Sequence, residues 1–212
     1  MIDPSKLEQG SIAVYGEEAF AKMFGRLIPV DADRVREIND GFELDFNGRK
    51  LLFLDTPGHA RHHYCVFDET SRGLFTGDTV GCSYPELNNG KARFIFPSST
   101  PVQFDPAVWP ATIDRLMSLQ PERIFVTHFG MHEDLKPLVK ILKQSIQDYA
   151  STALEFAGSE NRREKITQSI QQASINYLLD QDCGVDTDTI KQVIGRDMQL
   201  NAQGLDHWLT TL

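Results

Sequence analysis

Three residues of this chain could converge on one metal ion: His59, Asp78 and His128. His59 follows Thr-Pro-Gly in LDTPGHARHH, Asp78 follows Thr-Gly in LFTGDTVG, and His128 sits in IFVTHFG. Each comes directly after an apolar, strand-like run. A sheet gathers its strand ends along shared edges, so loops at those ends can converge on one point. Imidazole and carboxylate donors suit zinc, iron or manganese. Pro57-Gly58 permits a sharp turn that aims His59 from a stiff backbone. Taken singly, each residue also has a plain reading: a polar turn, a helix N-cap, a hydrogen-bonded histidine. Recurrence at three strand-to-loop junctions is what points to a shared site.

The neighbouring polar residues are read more modestly. His62 and His63 are expected to be structural, or to orient a ligating imidazole. His132 lies four residues after His128 and is expected at the surface. Arg61 is either solvated or meets an anionic group of a substrate. Cys82 and Tyr84 follow Asp78 closely and are read as pocket-lining.

The elements that must position these groups are legible from periodicity. Residues 11–26 place Ala13, Ala19, Phe20, Met23 and Phe24 on one helical stripe, and Pro29 follows. Phe42, Leu44 and Phe46 alternate with polar residues, Asn47-Gly48 is a hairpin turn, and Leu51 to Leu54 is the returning strand. Tyr64 to Phe67, Gly73 to Thr76 and Arg123 to Val126 read as further strands. Residues 82–104 read as a long loop on the same side of the sheet as the metal candidates. Asp105-Pro106 starts a helix whose apolar face is Trp109, Ile113 and Leu116. From Leu135 onward the pattern is helical throughout, with Gly158 as a C-cap and separate pieces around Ile190–Ile194 and Leu205–Leu209. Residues 1–134 therefore read as mixed α/β and residues 135–212 as all-helical.

Composition bounds the function. The 212 residues are 41% hydrophobic and 24% charged, within the ordinary globular range. A net charge of −9 argues against nucleic-acid binding, which needs clustered Lys and Arg. No apolar run approaches the roughly 20 residues of a membrane span. Three cysteines without a Cys-x-x-Cys pair read as reduced thiols of a cytoplasmic protein.

At TPGHARHH, FTGD and VTHFG the chain resembles the metallo-beta-lactamase superfamily, over roughly residues 10–134. The resemblance implies a four-layer αββα sandwich. It implies His59 on a first metal, Asp78 bridging two metals and His128 on the second, with two zinc ions in a complete site and iron or manganese as alternatives. It also implies a metal-activated hydroxide attacking an ester, thioester or related bond of a small-molecule substrate. The superfamily's H-x-H-x-D-H element is absent from this sequence. The chain is accordingly read as an N-terminally incomplete domain. Its uncovered sheet surface and bare edge would invite association or misfolding, with a homo-oligomer as one outcome. Two other readings stand beside the hydrolase: a non-catalytic or partner-completed binding module, and an iron-dependent sulfur oxygenase.

Overall fold

The computed structural model describes residues 2–89, 92–100, 103–128 and 130–212. Gly90, Pro101 and Val102 of the long loop and Phe129 of VTHFG lie outside them. The chain forms two compact units, Met1–Ile38 and Asn39–Leu212.

The first unit departs from the single helix expected over residues 11–26. Its described residues form two α-helices, α1 (Ser5–Tyr15) and α2 (Glu17–Phe24), and one short 3-10 turn at Ala32–Arg34. Gly16 breaks them apart with a φ of +82°, a conformation glycine adopts without a Cβ penalty. Its N–H closes α1 on the Ile12 carbonyl, and its own carbonyl accepts from Phe20 to begin α2. Phe20 and Tyr15 each pack their rings against Phe24.

The second unit is built on a six-stranded mixed sheet. Its strands are β1 (Phe42–Phe46), β2 (Arg49–Asp55), β3 (Tyr64–Asp68), β4 (Gly73–Gly77), β5 (Arg123–Val126) and β6 (Met131–His132), paired in that order. Asn47 and Gly48 turn between β1 and β2 with φ of 53° and 84°, the doubly left-handed turn expected of Asn-Gly. All neighbours are antiparallel except β4 and β5. A parallel pair needs a crossover, and α3 (Trp109–Ser118) lies within it. Asp105 caps the turn that leads into α3, accepting from the N–H groups of Ala107 and Val108.

Period-2 alternation divides the sheet into two apolar faces. Leu54, Cys65, Phe67, Leu74 and Ile124 are buried on the inner face, in one core with α3 and three long helices. Those helices are α4 (Leu135–Glu155), α5 (Arg162–Asp180) and α6 (Thr187–Leu209). The last is continuous, where two separate pieces were expected; Asp186 caps it through the N–H groups of Asp188 and Thr189. Gly158 falls beyond the end of α4, whose cap is Phe156. The outer face carries Phe42, Phe53, Val66, Phe75, Phe125 and Met131 in mutual register across all six strands. Phe75 and Met131 are exposed there. A sheet apolar on both faces is patterned for layers on both sides. The mixed sheet, its helices and the helical segment α4–α6 are the α/β-plus-helical arrangement expected from the sequence. No helix among the described residues is long and apolar enough to cross a membrane.

Candidate metal centre

β2 ends at Asp55, and Thr56-Pro57-Gly58 turns the chain into His59. Gly58 has a φ of +132°, and a Cβ on it would lie 2.5 Å from the Trp109 Cβ. Only glycine lets the turn sit against the start of α3. Thr112 fastens the same turn by donating to the Pro57 carbonyl over 2.7 Å. His59 is consequently buried. Its Nδ1 is 2.8 Å from the Ser98 carbonyl oxygen. A carbonyl can only accept, so the proton belongs on Nδ1 and the Nε2 lone pair faces the site. Burial holds the ring below the usual histidine range, against the opposing pull of the Asp78 charge, and favours the neutral form.

Asp78 follows β4. Gly77 has a φ of +50°, and a Cβ there would lie 2.3 Å from the His63 Nε2. His63 uses that closeness: its Nε2 accepts from the Asp78 N–H at 3.1 Å, and its Nδ1 lies 2.9 Å from the Thr79 hydroxyl. Burial, followed by the neighbouring His59, pushes the His63 pKa down to about 4. His63 thus holds the Asp78 backbone, the structural part expected of it. His62 is exposed, with its Nδ1 3.3 Å from Gln103 Oε1.

His128 lies just beyond β5, and its side chain is half exposed. The three candidates meet at the Asp78 carboxylate. Oδ2 is 3.6 Å from His59 Nε2, and Oδ1 is 3.5 Å from His128 Nε2. Oδ1 is buried and receives no hydrogen bond from the described residues. A buried carboxylate oxygen without a donor is costly. Set between two imidazole nitrogens, this donor set fits a divalent cation.

The family model of the metallo-beta-lactamase superfamily matches residues 4–128. The chain belongs to that superfamily. Among relatives, it is 32% identical over 124 residues to the metallo-beta-lactamase fold-containing protein ST1585 of Sulfurisphaera tokodaii, covering 56% of this chain and 43% of that one. It is 28% identical over 116 residues to hydroxyacylglutathione hydrolase of Prochlorococcus marinus, covering 45% of this chain and 46% of the relative. The crystal structure of ST1585 from Sulfolobus tokodaii superposes with a TM-score of 0.54 at 26% identity, over 68% of this chain and 50% of that one. The metallo-beta-lactamase family protein TTHA1429 of Thermus thermophilus shares the fold, with a TM-score of 0.59 at 17% identity, over 98% of this chain and 60% of that one. The chain spans about half the length of the curated relatives named here.

In this superfamily member Cys82, Tyr84 and His132, which follow the candidate ligands in sequence, take three different places. Cys82 reaches the Asp78–His128 side, a placement that sequence spacing did not reveal. Its thiol is pushed well above the usual range by burial and then by the charges of Asp78 and Asp197. Tyr84 turns toward α6 and donates to Asp197 over 2.5 Å. His132 is paired with Ile124 between β6 and β5 and is partly buried, rather than exposed as expected.

Trp109 ties this assembly to α3. Its indole N–H donates to the Thr79 carbonyl over 2.7 Å inside the core. Trp109→Phe leaves that carbonyl without this donor, and an expected loss of about 1–3 kcal/mol in urea unfolding follows. Unchanged stability would mean that the bond contributes nothing.

Proposed function

We propose that this chain carries the metal-binding centre of a metal-dependent hydrolase acting on an ester, thioester or related bond of a small molecule. His59, Asp78 and His128 are its metal ligands, and zinc is the metal of choice, with iron or manganese as alternatives. One observation carries the reading: a carboxylate flanked by two imidazole nitrogens, with a buried oxygen that receives no hydrogen bond from the described residues. Superfamily membership supports it, because the superfamily includes hydrolases.

A metal held there supplies Lewis acidity, which acidifies coordinated water and polarises the scissile carbonyl. The chain's own residues prepare the ligands. Ser98 fixes the His59 tautomer, so that Nε2 is ready as a donor without losing a proton. His63 anchors the Asp78 N–H and stays neutral beside it. Asp78 offers one oxygen to each imidazole side, which suits a bridging ligand. On this reading residues 1–134 hold the ligands, the helical region 135–212 frames the pocket, and the reduced cysteines suit the cytoplasm.

Metal-stripped and zinc-reloaded protein, assayed against a panel of thioesters and esters, tests the proposal. Hydrolysis is expected only after reloading. His59→Ala should lower it at least about 100-fold, since removal of mere partners of metal ligands costs 10–100-fold. Failure to bind zinc, or hydrolysis indifferent to stripping and to His59→Ala, would sink it.

A further inference from the structure

The chain leaves Asp78 through a tight turn, with the Gly81 N–H donating to the Asp78 carbonyl over 3.0 Å. Gly81 has a φ of +79°, and a Cβ on it would lie 2.6 Å from the Phe96 carbonyl oxygen. That close approach lets Cys82 pair with Phe96 through two backbone hydrogen bonds, of 2.8 and 3.0 Å. Turn and bridge together pin Cys82 four residues from Asp78 with its thiol turned back toward the carboxylate. One ligand atom each of Asp78, Cys82 and His128 lie within 4.8 Å of one another.

A small apolar role is the ordinary fate of a buried cysteine. Two thiols in this chain fit that description and also find acceptors: Cys65 donates to the Thr76 carbonyl over 3.4 Å and Cys183 to the Val185 carbonyl over 3.8 Å. Cys82 differs. Among the described residues its thiol makes no hydrogen bond, although it sits beside the Asp78 carboxylate.

The geometry points to Cys82 as a metal ligand, completing with Asp78 and His128 a carboxylate–thiolate–imidazole position within the centre. The inference rests on Asp78 and His128 being ligands. Three protein ligands with a position left open is the catalytic type of zinc site rather than the closed structural type. A thiolate shifts preference toward zinc or iron and away from manganese or magnesium. The two sides of Asp78 then differ: His59 alone faces one, whereas His128 shares the other with a soft sulfur donor. On binding, the thiol proton leaves to solvent as the sulfur–metal bond forms.

Cobalt(II) titration of the metal-stripped full chain tests this without relying on activity. Cobalt d–d bands report binding, and a sulfur-to-cobalt charge-transfer band in the near ultraviolet reports the thiolate. Wild type, Cys65→Ala and Cys183→Ala are expected to show both. Cys82→Ser should lose the charge-transfer band and bind cobalt at least about tenfold more weakly. X-ray absorption of the wild type loaded with one equivalent of zinc should find a sulfur scatterer at about 2.3 Å, which needs no variant to fold. Cobalt d–d bands without charge transfer, with no sulfur at zinc, would overturn the role of Cys82 and leave the hydrolase reading standing. No cobalt or zinc binding at all would overturn both.

Discussion

Asp78→Ala is expected to abolish the rise in thermal midpoint that zinc gives the wild type, while leaving the metal-free protein at least as stable as before. The two halves of this result have one cause. In the metal-free fold the Asp78 carboxylate sits between two imidazole rings, and its buried Oδ1 receives no hydrogen bond from the described residues. Such a group costs about 1–3 kcal/mol. The side chain keeps 25% of its exposure, so solvent offsets part of that cost and the low end applies. Deleting the carboxylate therefore returns about 1 kcal/mol, less what is lost in packing. With metal the sign reverses. A ligand at about 1,000 times its Kd stabilises the native state by about 4 kcal/mol, or on the order of 10 °C for a unit of this size. Asp78 is the residue placed to serve both imidazole sides, so its loss should remove nearly all of that rise, whereas His128→Ala should remove less. Thermal unfolding of each variant, with and without zinc, makes the measurement. An Asp78→Ala midpoint that still climbs with zinc as far as the wild type would remove Asp78 from the centre. Stability given up at a site in exchange for function is a familiar pattern.

Much of this arrangement is readable from the amino-acid order. The hairpin at Asn47-Gly48 and the strands around Phe67, Leu74 and Ile124 follow from local signals, and three strand-to-loop junctions mark His59, Asp78 and His128 as candidates for a shared site. Alternation fixes which side chains are buried, and turn residues fix where the chain reverses. What escaped the sequence depends on pairing between distant segments. Cys82 looks like a pocket lining until the bridge to Phe96, fourteen positions later, turns its thiol back toward Asp78. Gly16 sits in an unbroken amphipathic stripe, and nothing in that stripe announces that its backbone takes a positive φ. Asn201 falls between the two apolar pieces read at Ile190–Ile194 and Leu205–Leu209, and it is buried. Its polar side chain is tolerated because Ser99, on a loop 102 residues earlier, donates to it.

That loop makes Gly204→Ala the most damaging small substitution available in α6. A Cβ at Gly204 would lie 1.7 Å from the Ser99 carbonyl oxygen and 2.9 Å from the Thr100 Cα. The obstacle is backbone, so no side-chain rotation relieves it. Nor can the loop withdraw freely, because the Ser99 N–H donates to Asn201 Oδ1 over 2.7 Å and the Ser99 hydroxyl donates to the Asn201 carbonyl over 3.0 Å. Overpacking against a fixed backbone costs typically 1–3 kcal/mol and occasionally more; about 3 kcal/mol is expected here. The effect also reaches the metal centre. Ser98 precedes this clamp, and its carbonyl fixes the proton on His59 Nδ1. Shifting it lets the imidazole rotate or change tautomer, with an expected 10–100-fold loss in zinc affinity, the usual consequence of losing a ligand's hydrogen-bond partner. Asn201→Ala should reproduce the weaker binding with a smaller stability loss, about 1–3 kcal/mol, because it leaves the buried Ser99 N–H unpaired without forcing the backbones apart. Urea unfolding and zinc titration of both variants separate the contributions. If both lose stability but bind zinc as tightly as the wild type, α6 supports the fold alone. If both effects appear together, the last helix of the chain is part of what sets the geometry of His59.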